Sequence, residues 1–342
     1  MLLKTAWSTL ALLLYKRQSQ WAVPTSLGVC LTDRCNIKCT YCMRETFKPP
    51  SGELDLDDIQ VMLRNAPTVT GVCIMGLCEP YCNPNTSRII KWLKDEGHYS
   101  ISFTTNCTIP FTPVKLDALR RVDDMAVSID SADPVVFREL RGTSLDTVMT
   151  HLTDIIRYKR VLKLTATDSP PIHINAVITQ RNWSGIPDLI KMFEPYANDL
   201  TYLMLDPCTR PDYSKADVFT STEKPSNFDD FKHLAKLSPL KVIGFDYMFQ
   251  PSSEWSTCSM SWLGPFVQPN GDVYPCYGYR TVVGNIYRES LLHAWNSPLI
   301  REFRRSLQTP YPPLVQCRFC NFARPKWQVG GAYNKLHEDQ DK

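Results

Sequence analysis

The sequence predicts an α/β fold with a parallel sheet, followed by a smaller C-terminal region of different texture. Short apolar runs alternate with longer helical patterns from about residue 25 to residue 206, and the composition then shifts towards Pro, Ser, Thr and Asp. The cysteines support the same division, because they cluster early in the chain and again near its end. A chain of 342 residues is long enough for both parts.

The first predicted element is an N-terminal helix within residues 1–24. Residues 1–17 include the apolar run LALLL, which is too short to cross a membrane, and the residues that follow lack a small-x-small cleavage site. We therefore expect an amphipathic helix that packs on the body of the protein, with no integral membrane segment. Weak contact with a membrane surface stays open as a minor alternative.

Six strands and five helices are predicted within residues 25–206. The apolar runs that indicate strands are residues 26–31, 70–76, 99–105, 124–130, 172–179 and 200–206. Helical periodicity covers residues 56–66, 86–97, 114–122, 145–161 and 186–196. Because a helical pattern separates each pair of successive strands, the sheet is expected to be parallel, either doubly wound or an open barrel.

The rest of the chain divides into three predicted segments. Residues 207–250 are expected to form a linker or lid that closes the sheet, residues 251–328 a small second domain, and residues 329–342 a flexible tail. In the second domain, FVQPNGDVY predicts a β-hairpin that turns at Asn270 and Gly271. Residues 290–307 predict one helix.

Composition limits the classes of function. The 38 basic and 35 acidic residues give a net charge of +3 without a long run of one sign, which is not the pattern of a nucleic-acid-binding protein. The 13 cysteines are an odd number and occur in clusters, which favours metal ligands over disulfides. Since thiols stay reduced in the cytosol, a cytoplasmic location is expected.

Three cysteines lie close together directly after the first predicted strand. Cys35, Cys39 and Cys42 fall on a loop at the C-terminal edge of the sheet, where α/β proteins bind ligands. Three thiolates can hold three irons of a [4Fe–4S] cube and leave the fourth iron open for a ligand. A structural zinc loop with a distant fourth ligand, or three core cysteines, are the alternatives.

The Cys-x3-Cys-x2-Cys spacing, with Tyr41 before the last cysteine, resembles the signature of the radical S-adenosylmethionine (SAM) superfamily. The segments GLCEPYCNP, residues 76–84, and VSIDSADPVVFRELRG, residues 127–142, are similar to two further motifs of that family in the family's order. Cys78 replaces the second glycine of the first of these motifs. The SAM-binding residues that the resemblance implies are Tyr41, Gly76, Glu79, Asn106, Ser128, Asp130, Arg141 and Asn175.

The resemblance also implies individual roles and a fold. Glu79 is expected to bind the SAM ammonium group, Ser128 the ribose or methionine part and Arg141 the methionine carboxylate. The implied fold is a partial (β/α)6 radical SAM barrel. The implied chemistry is one-electron reduction of SAM by a [4Fe–4S] cluster, which yields a 5′-deoxyadenosyl radical that takes a hydrogen atom from a substrate. A flavodoxin or ferredoxin is the implied electron donor.

A second set of cysteines lies in the C-terminal region. Cys258 and Cys276, with Gly271 between them, resemble the opening half of the SPASM extension found on many radical SAM enzymes, and Cys317 and Cys320 supply its next pair. No cysteine follows Cys320, so the layout is similar to the shorter twitch version, in which four thiolates close one auxiliary [4Fe–4S] cluster. That layout occurs in 2-deoxy-scyllo-inosamine dehydrogenase and in enzymes that form peptide thioethers. Four cysteines also suit a structural zinc.

These features favour a radical SAM oxidoreductase that acts on a small polar substrate resembling an aminosugar or cyclitol. The auxiliary cluster would take up an electron from the substrate, and the chain leaves no room for a separate peptide-recruiting domain. A peptide maturase that forms thioether or carbon–carbon crosslinks is the first alternative. A radical epimerase with Cys208 as hydrogen donor is the second, and a non-catalytic iron–sulfur or zinc protein is the third.

Overall fold

The computed structural model describes residues 2–161, 170–208, 225–245, 258–276 and 281–307. Its described strands form one 10-stranded sheet in the order β10-β9-β8-β1-β2-β3-β4-β5-β6-β7. The expected α/β class is therefore confirmed, and strands from the C-terminal region belong to the same sheet.

The first seven strands of the chain run parallel to one another. They are β1 (Ser26–Val29), β2 (Gly71–Ile74), β3 (Ser100–Thr105), β4 (Asp124–Ser128), β5 (Ile172–Ile178), β6 (Leu200–Pro207) and β7 (Val242–Ile243). Each pairs with the next in sequence. This sequential order makes every carboxyl end meet at one edge, as a single winding of βα units requires.

Helices connect these strands. They are α2 (Arg44–Phe47), α3 (Leu56–Arg64), α4 (Thr86–Asp95), α5 (Pro113–Leu119), α6 (Pro134–Arg141), α7 (Leu145–Val161), α8 (Ile186–Phe193) and α9 (Phe228–Leu237). Local chemistry fixes several starts: Asp55 and Asp58 form a capping box on α3, and the Asp133 carboxylate accepts from the first amides of α6.

The two faces of the sheet differ in burial. On β5, Ile172, Ile174 and Ile178 belong to the main hydrophobic core that the helices cover. Asn175 and Val177 alternate with them and are half-buried. The second face therefore carries the polar side chain of Asn175 and lines the interior of the barrel, where a ligand can be held.

A hairpin from the C-terminal region extends the sheet beyond β1. Strand β8 (Phe266–Val267) pairs with β1 in parallel and with β9 (Asp272–Tyr274) antiparallel, and β9 pairs with β10 (Gly284–Asn285). The predicted turn at Asn270 and Gly271 is confirmed. The segment expected as a second domain is thus joined to the barrel by backbone hydrogen bonds.

The helix predicted over residues 290–307 is wrong as a single element. The structure has α11 (Leu291–Ala294) and α12 (Pro298–Ser306) instead. Pro298 lacks an amide hydrogen and disfavours helical geometry at the residue before it, and Ser297 accordingly has an extended ψ of 156°. Proline is well placed as the first residue of a new helix.

The predicted N-terminal helix is present as α1 (Leu2–Lys16). It packs on α10 (Met260–Leu263), with the rings of Tyr15 and Trp262 6.0 Å apart. Across the described ranges, every helix falls short of the length and apolarity needed to cross a bilayer.

Arg304 on α12 ties α1 to the C-terminal region. Its guanidinium is fully buried and donates to the carbonyls of Ser261 (2.7 Å), Gln20 (2.9 Å) and Trp295 (2.7 Å). The indole rings of Trp262 and Trp295 lie 5.9 Å and 5.1 Å from it. Carbonyl dipoles and aromatic faces therefore stabilise the buried charge of Arg304 in place of a carboxylate.

Candidate active site

The loop that carries Cys35, Cys39 and Cys42 follows β1 at the carboxyl edge of the sheet, and all three thiols are half-buried. The amide of Thr40 donates to the carbonyl of Leu140 (2.8 Å) at the end of α6. Gly142 lies behind the loop with φ of 70°, and a side chain there would come within 3.2 Å of the Lys38 carbonyl oxygen. The end of α6 therefore holds the cysteine loop in place.

Burial raises the pKa of Cys35 to about 12, and the nearby charges of Glu79, Cys39 and Cys42 oppose ionisation further. Burial likewise raises the pKa of Cys39 to about 11, although the charge of Arg141 partly offsets it. Both shifts favour the neutral thiol in the free protein. Metal binding must therefore displace their protons.

The three thiols lie on one loop, which suits an iron–sulfur cube. In such a cube each thiolate binds a different iron, so one loop can supply three ligands. Within the residues that the structure describes, no group of three His, Cys, Asp or Glu side chains is arranged to hold a single metal ion.

Glu79 is a buried carboxylate beside this loop. It is 1% exposed and accepts hydrogen bonds from the Thr105 hydroxyl (2.9 Å) and from the amides of Asn106 (2.7 Å) and Tyr81 (3.3 Å). Burial raises its pKa to about 7, although these hydrogen bonds oppose the rise. A cationic ligand would favour the ionised form of such a group.

Gly76 lies where the strand β2 turns into the Glu79 loop. Its φ is 134°, and a side chain there would come within 2.6 Å of the Phe266 ring. The position therefore requires glycine for both conformation and space. The amide of Glu79 donates to the carbonyl of Arg34 (3.0 Å), which joins the Glu79 loop to the cysteine loop.

Asn106 connects Glu79 to the cysteine loop. Its backbone amide binds Glu79, while its side-chain amide donates to the Asn36 side chain (3.0 Å) and lies 3.8 Å from the sulfur of Cys35. Its side-chain oxygen accepts from Thr108. The structure thus places the predicted residue at the site, where it orders the loop.

Asp130, Tyr41 and Arg141 form one buried group. Arg141 donates to both oxygens of Asp130, at 2.8 Å and 3.2 Å, and the Tyr41 hydroxyl donates to the same carboxylate. The amide of Val177 also donates to Asp130 (2.9 Å). Burial alone would lower the pKa of Arg141, but the charges of Asp130, Tyr41 and Cys39 and the hydrogen bond to Asp130 together outweigh burial, so the pKa is raised.

The Asp130 carboxylate is 1% exposed and accepts hydrogen bonds from Arg141, Tyr41 and the amide of Val177, so it holds these groups in place. Its contact with SAM stays a prediction. Arg141 lies next to the loop, since its guanidinium is 5.8 Å from the ring of Tyr41.

Ser128 and Asn175 are neighbours in register on β4 and β5 and are both half-buried. They lie near the carboxyl end of β4 and on β5, and Ser128 is two residues before Asp130. The side-chain oxygen of Asn175 is buried without a hydrogen-bond partner. A buried acceptor without a donor is costly, so this atom fits a site that receives hydrogen-bond donors from a bound ligand such as a nucleoside.

Cys208 follows β6 and is buried, with 4% exposure. Its amide donates to the carbonyl of Ile178 (2.7 Å), which continues the pairing with β5. The residue lies at the same edge of the sheet as the cysteine loop. Its role as a hydrogen donor stays a prediction.

The second predicted cluster is described only in part. Cys258 lies two residues before α10 and Cys276 two residues after β9, and the two are close enough for their charges to interact. Burial, followed by the charge of Cys276, raises the pKa of Cys258 to about 11. Cys317 and Cys320 lie outside the described residues.

Sequence reasoning missed a residue that supports the Asp130 group. Asn182 is 3% exposed, and its side-chain amide donates to the carbonyls of Asp130 (2.7 Å) and Val177 (2.9 Å). Its own oxygen accepts from the Thr179 amide (2.7 Å). The TQRN turn after β5 is the signal that could have identified it, because asparagine in a turn often binds backbone groups.

The fold and site define a class of protein: an α/β barrel with an iron–sulfur loop at its carboxyl edge. Residues 29–166 match the model of the radical SAM superfamily, and residues 258–321 match SPASM, described as an iron-sulfur cluster-binding domain. The protein is therefore a radical SAM enzyme with a SPASM domain. SAM and iron–sulfur clusters are the cofactors that these domains imply.

Individual relatives share modest sequence identity over most of the chain. The mycofactocin maturase MftC of Mycobacterium tuberculosis (strain ATCC 25618 / H37Rv) is 24% identical over 306 residues, covering 80% of this chain and 71% of that protein. The antilisterial bacteriocin subtilosin biosynthesis protein AlbA of Bacillus subtilis (strain 168) is 22% identical over 339 residues, covering 93% of this chain and 70% of that protein.

Among solved structures, Streptococcus suis SuiB bound to precursor peptide SuiA is similar in fold. It aligns with a TM-score of 0.64 and 18% identity, covering 96% of this chain and 76% of that chain. At this identity the likeness shows the fold alone.

Proposed function

We propose that this radical SAM enzyme modifies a peptide. Cys35, Cys39 and Cys42 would hold a [4Fe–4S] cluster, and SAM would lie between the cysteine loop and Glu79. Bound together, these groups supply a one-electron reduction that yields a radical able to take a hydrogen atom from an unactivated C–H bond. The observation that carries the SAM chemistry is the meeting of the cysteine loop, Glu79 and the Asp130 group at one edge of the sheet; the relatives support the peptide substrate.

The protein's own residues would bind and orient SAM. Glu79 would accept hydrogen bonds from the SAM ammonium group, because it is a buried carboxylate held in place by Thr105 and Asn106. Arg141, fixed by Asp130, would pair with the SAM carboxylate through donors that Asp130 leaves available. The unpartnered oxygen of Asn175, with Ser128 beside it, would receive a donor from the nucleoside.

The relatives favour a peptide substrate over the aminosugar or cyclitol expected from the sequence. The two reported relatives are named for the maturation of mycofactocin and for the biosynthesis of a bacteriocin, and the structural relative holds a precursor peptide. These names describe those proteins. Their agreement on peptide-derived products supports the first alternative to the small-molecule interpretation.

The C-terminal cysteines would complete an oxidation. Cys258, Cys276, Cys317 and Cys320 would hold an auxiliary cluster without an open position, which suits electron transfer. Crosslinking a peptide removes two hydrogen atoms: one as an atom, the other as a proton and an electron. An auxiliary cluster that accepts this electron would make the enzyme an oxidoreductase.

Anaerobic reconstitution tests the first part of this proposal. The reconstituted chain should hold about eight irons and convert SAM to 5′-deoxyadenosine when reduced. Cys35→Ala should abolish the conversion, whereas Cys82→Ala should retain it, because Cys82 lies at the same edge but outside the Cys-x3-Cys-x2-Cys loop. Tightly bound zinc without SAM cleavage would refute the proposal.

The substrate class needs a separate measurement. Short peptides encoded beside the gene should be incubated with the reduced enzyme and SAM, and a peptide substrate should lose two hydrogen atoms by mass spectrometry. Oxidation of an aminosugar or cyclitol under the same conditions, with the peptides unchanged, would reject the peptide assignment while leaving the radical SAM chemistry intact.

A further inference from the structure

Helix α1 has an outward face rich in leucine. Ala11 and Tyr15 are buried against the body, whereas Leu10, Leu12 and Leu13 are 38%, 41% and 42% exposed. At 100° per residue the three leucines spread over about half of the helix circumference, opposite Ala11 and Tyr15. The helix therefore presents one apolar face to the core and a second one outward.

The outward face also carries the exposed Thr9 and ends in two cations, and an indole ring follows the helix. Lys16 and Arg17 are exposed at the end of α1. Trp21 is 57% exposed, and the guanidinium of Arg301 lies 4.8 Å from its ring. We call Leu10, Leu12, Leu13, Lys16, Arg17 and Trp21 the α1 surface.

The charges of this surface have one sign. The sequence of α1, LLKTAWSTLALLLYK, contains no acidic residue. On the adjacent α12, the carboxylate of Glu302 is paired with Arg305. An apolar face with a cationic border and a Trp at its edge is complementary to the anionic headgroups and acyl chains of a bilayer interface.

Hydrogen bonds fix the orientation of α1. The Trp262 indole donates to the carbonyl of Ser19 (2.7 Å), and Arg304 donates to the carbonyl of Gln20 (2.9 Å). Ala22 and Asn296 exchange two hydrogen bonds of 2.9 Å each. The chain directly after the helix is therefore anchored, and the leucines point outward as part of the folded structure.

We propose that the α1 surface binds an anionic membrane. The helix would lie in the plane of the interface, with its leucines at the acyl boundary, Trp21 at headgroup level, and Lys16 and Arg17 against lipid phosphates. A single exposed helix can lie flat on the surface of a bilayer. This mode of binding does not cross the bilayer and does not depend on the proposed peptide chemistry.

Vesicle sedimentation of the full chain, reconstituted with its clusters, tests the proposal. The chain should bind phosphatidylcholine vesicles that contain phosphatidylserine more tightly than pure phosphatidylcholine vesicles, and added salt should remove the difference. The double variant Leu12→Gln, Leu13→Gln should weaken binding at least tenfold to the anionic vesicles. The double variant Lys16→Ser, Arg17→Ser should weaken only the anionic preference, by about fivefold per charge.

The matched control replaces exposed apolar residues elsewhere. Val114 and Val135 are 60% and 64% exposed on α5 and α6, so Val114→Gln, Val135→Gln should bind vesicles like the unaltered chain. SAM cleavage by every variant should be unchanged, which verifies folding.

Three outcomes would overturn the proposal. The first is no binding to the anionic vesicles, and the second is binding that neither double variant weakens. The third is a dimer in sedimentation velocity that the leucine variant dissociates, since the α1 surface would then be a protein interface.

Discussion

The two halves of the molecule each contain a buried arginine, but the two are held in different ways. Arg141, beside the cysteine loop, pairs with the carboxylate of Asp130. Arg304, beneath the C-terminal region, contacts three backbone carbonyls and two indole rings. One cation is paired with an anion, and the other is solvated by neutral groups.

This difference separates a ligand site from a structural anchor. The ion pair of Arg141 stands next to Cys39 and also orders Tyr41, so its charges act where a cluster and a zwitterionic ligand would bind. Arg304 meets only groups that keep a constant charge and joins segments distant in sequence. We therefore expect changes at Arg141 to affect SAM binding and changes at Arg304 to affect stability.

The largest expected effect is that of Arg304→Ala on stability. The change leaves three buried carbonyls without their charged donor and opens a cavity between two indoles, so the free energy of unfolding should fall by about 3 kcal/mol or more. Chemical denaturation of the cluster-free chain measures it. Arg301→Ala on the same helix is the control and should cost less than about 1 kcal/mol; equal losses for the two variants would refute the anchor role.

A smaller effect is expected for Arg141→Lys. Lysine keeps the charge but cannot form the two-point contact with Asp130, so SAM affinity should fall about tenfold or more. Equilibrium binding of SAM to the reconstituted chain measures this loss. Arg138→Lys, at an exposed position of the same helix, is the matched control and should bind SAM normally. Normal binding by Arg141→Lys would remove this residue from the site.

Glu79 should make the affinity for SAM depend on pH. Its pKa is raised to about 7 by burial, so the carboxylate loses its charge as the pH falls through that value. Because a SAM ammonium group needs the ionised form, affinity should decline below about pH 7, by up to about tenfold per pH unit. Glu79→Gln should bind SAM weakly at every pH and lack this decline. A pH profile identical to that of the unaltered chain would exclude Glu79 as the partner.

The smallest effect is expected for Tyr41→Phe. It removes one hydrogen bond to Asp130 but leaves Arg141 paired, so the free energy of unfolding should fall by about 1 kcal/mol. Thermal unfolding of the cluster-free chain detects this loss. A change as large as that of Arg304→Ala would show that the two arginines are not held in different ways.

The sequence was sufficient for the parallel core and for the edge at which the site forms. Strands of mostly apolar residues separated by helical patterns predict parallel pairing, and parallel pairing brings residues such as Cys35, Glu79 and Asn106 to one edge. The early cysteine motif then indicates an iron–sulfur site without any tertiary information.

Other features depend on tertiary packing that periodicity does not encode. The pairing of β8 with β1 brings Phe266 beside Gly28 and places its ring close to Gly76, although Phe266 is far from both glycines in the sequence. The role of Asp130 depends on which donors reach it, and these come from the cysteine loop, α6 and β5. Pro298 is a signal for a helix break, but helical periodicity on both sides of it predicts one continuous helix.

Paired cysteine variants test the central claim. The claim is that the cluster on the barrel loop cleaves SAM, whereas the C-terminal cluster accepts an electron from the substrate. Iron content and 5′-deoxyadenosine formation should be measured for Cys42→Ala and Cys276→Ala after anaerobic reconstitution. We expect each variant to retain about four irons, with SAM cleavage abolished in Cys42→Ala and retained in part in Cys276→Ala. SAM cleavage at a normal rate by Cys42→Ala would contradict the account.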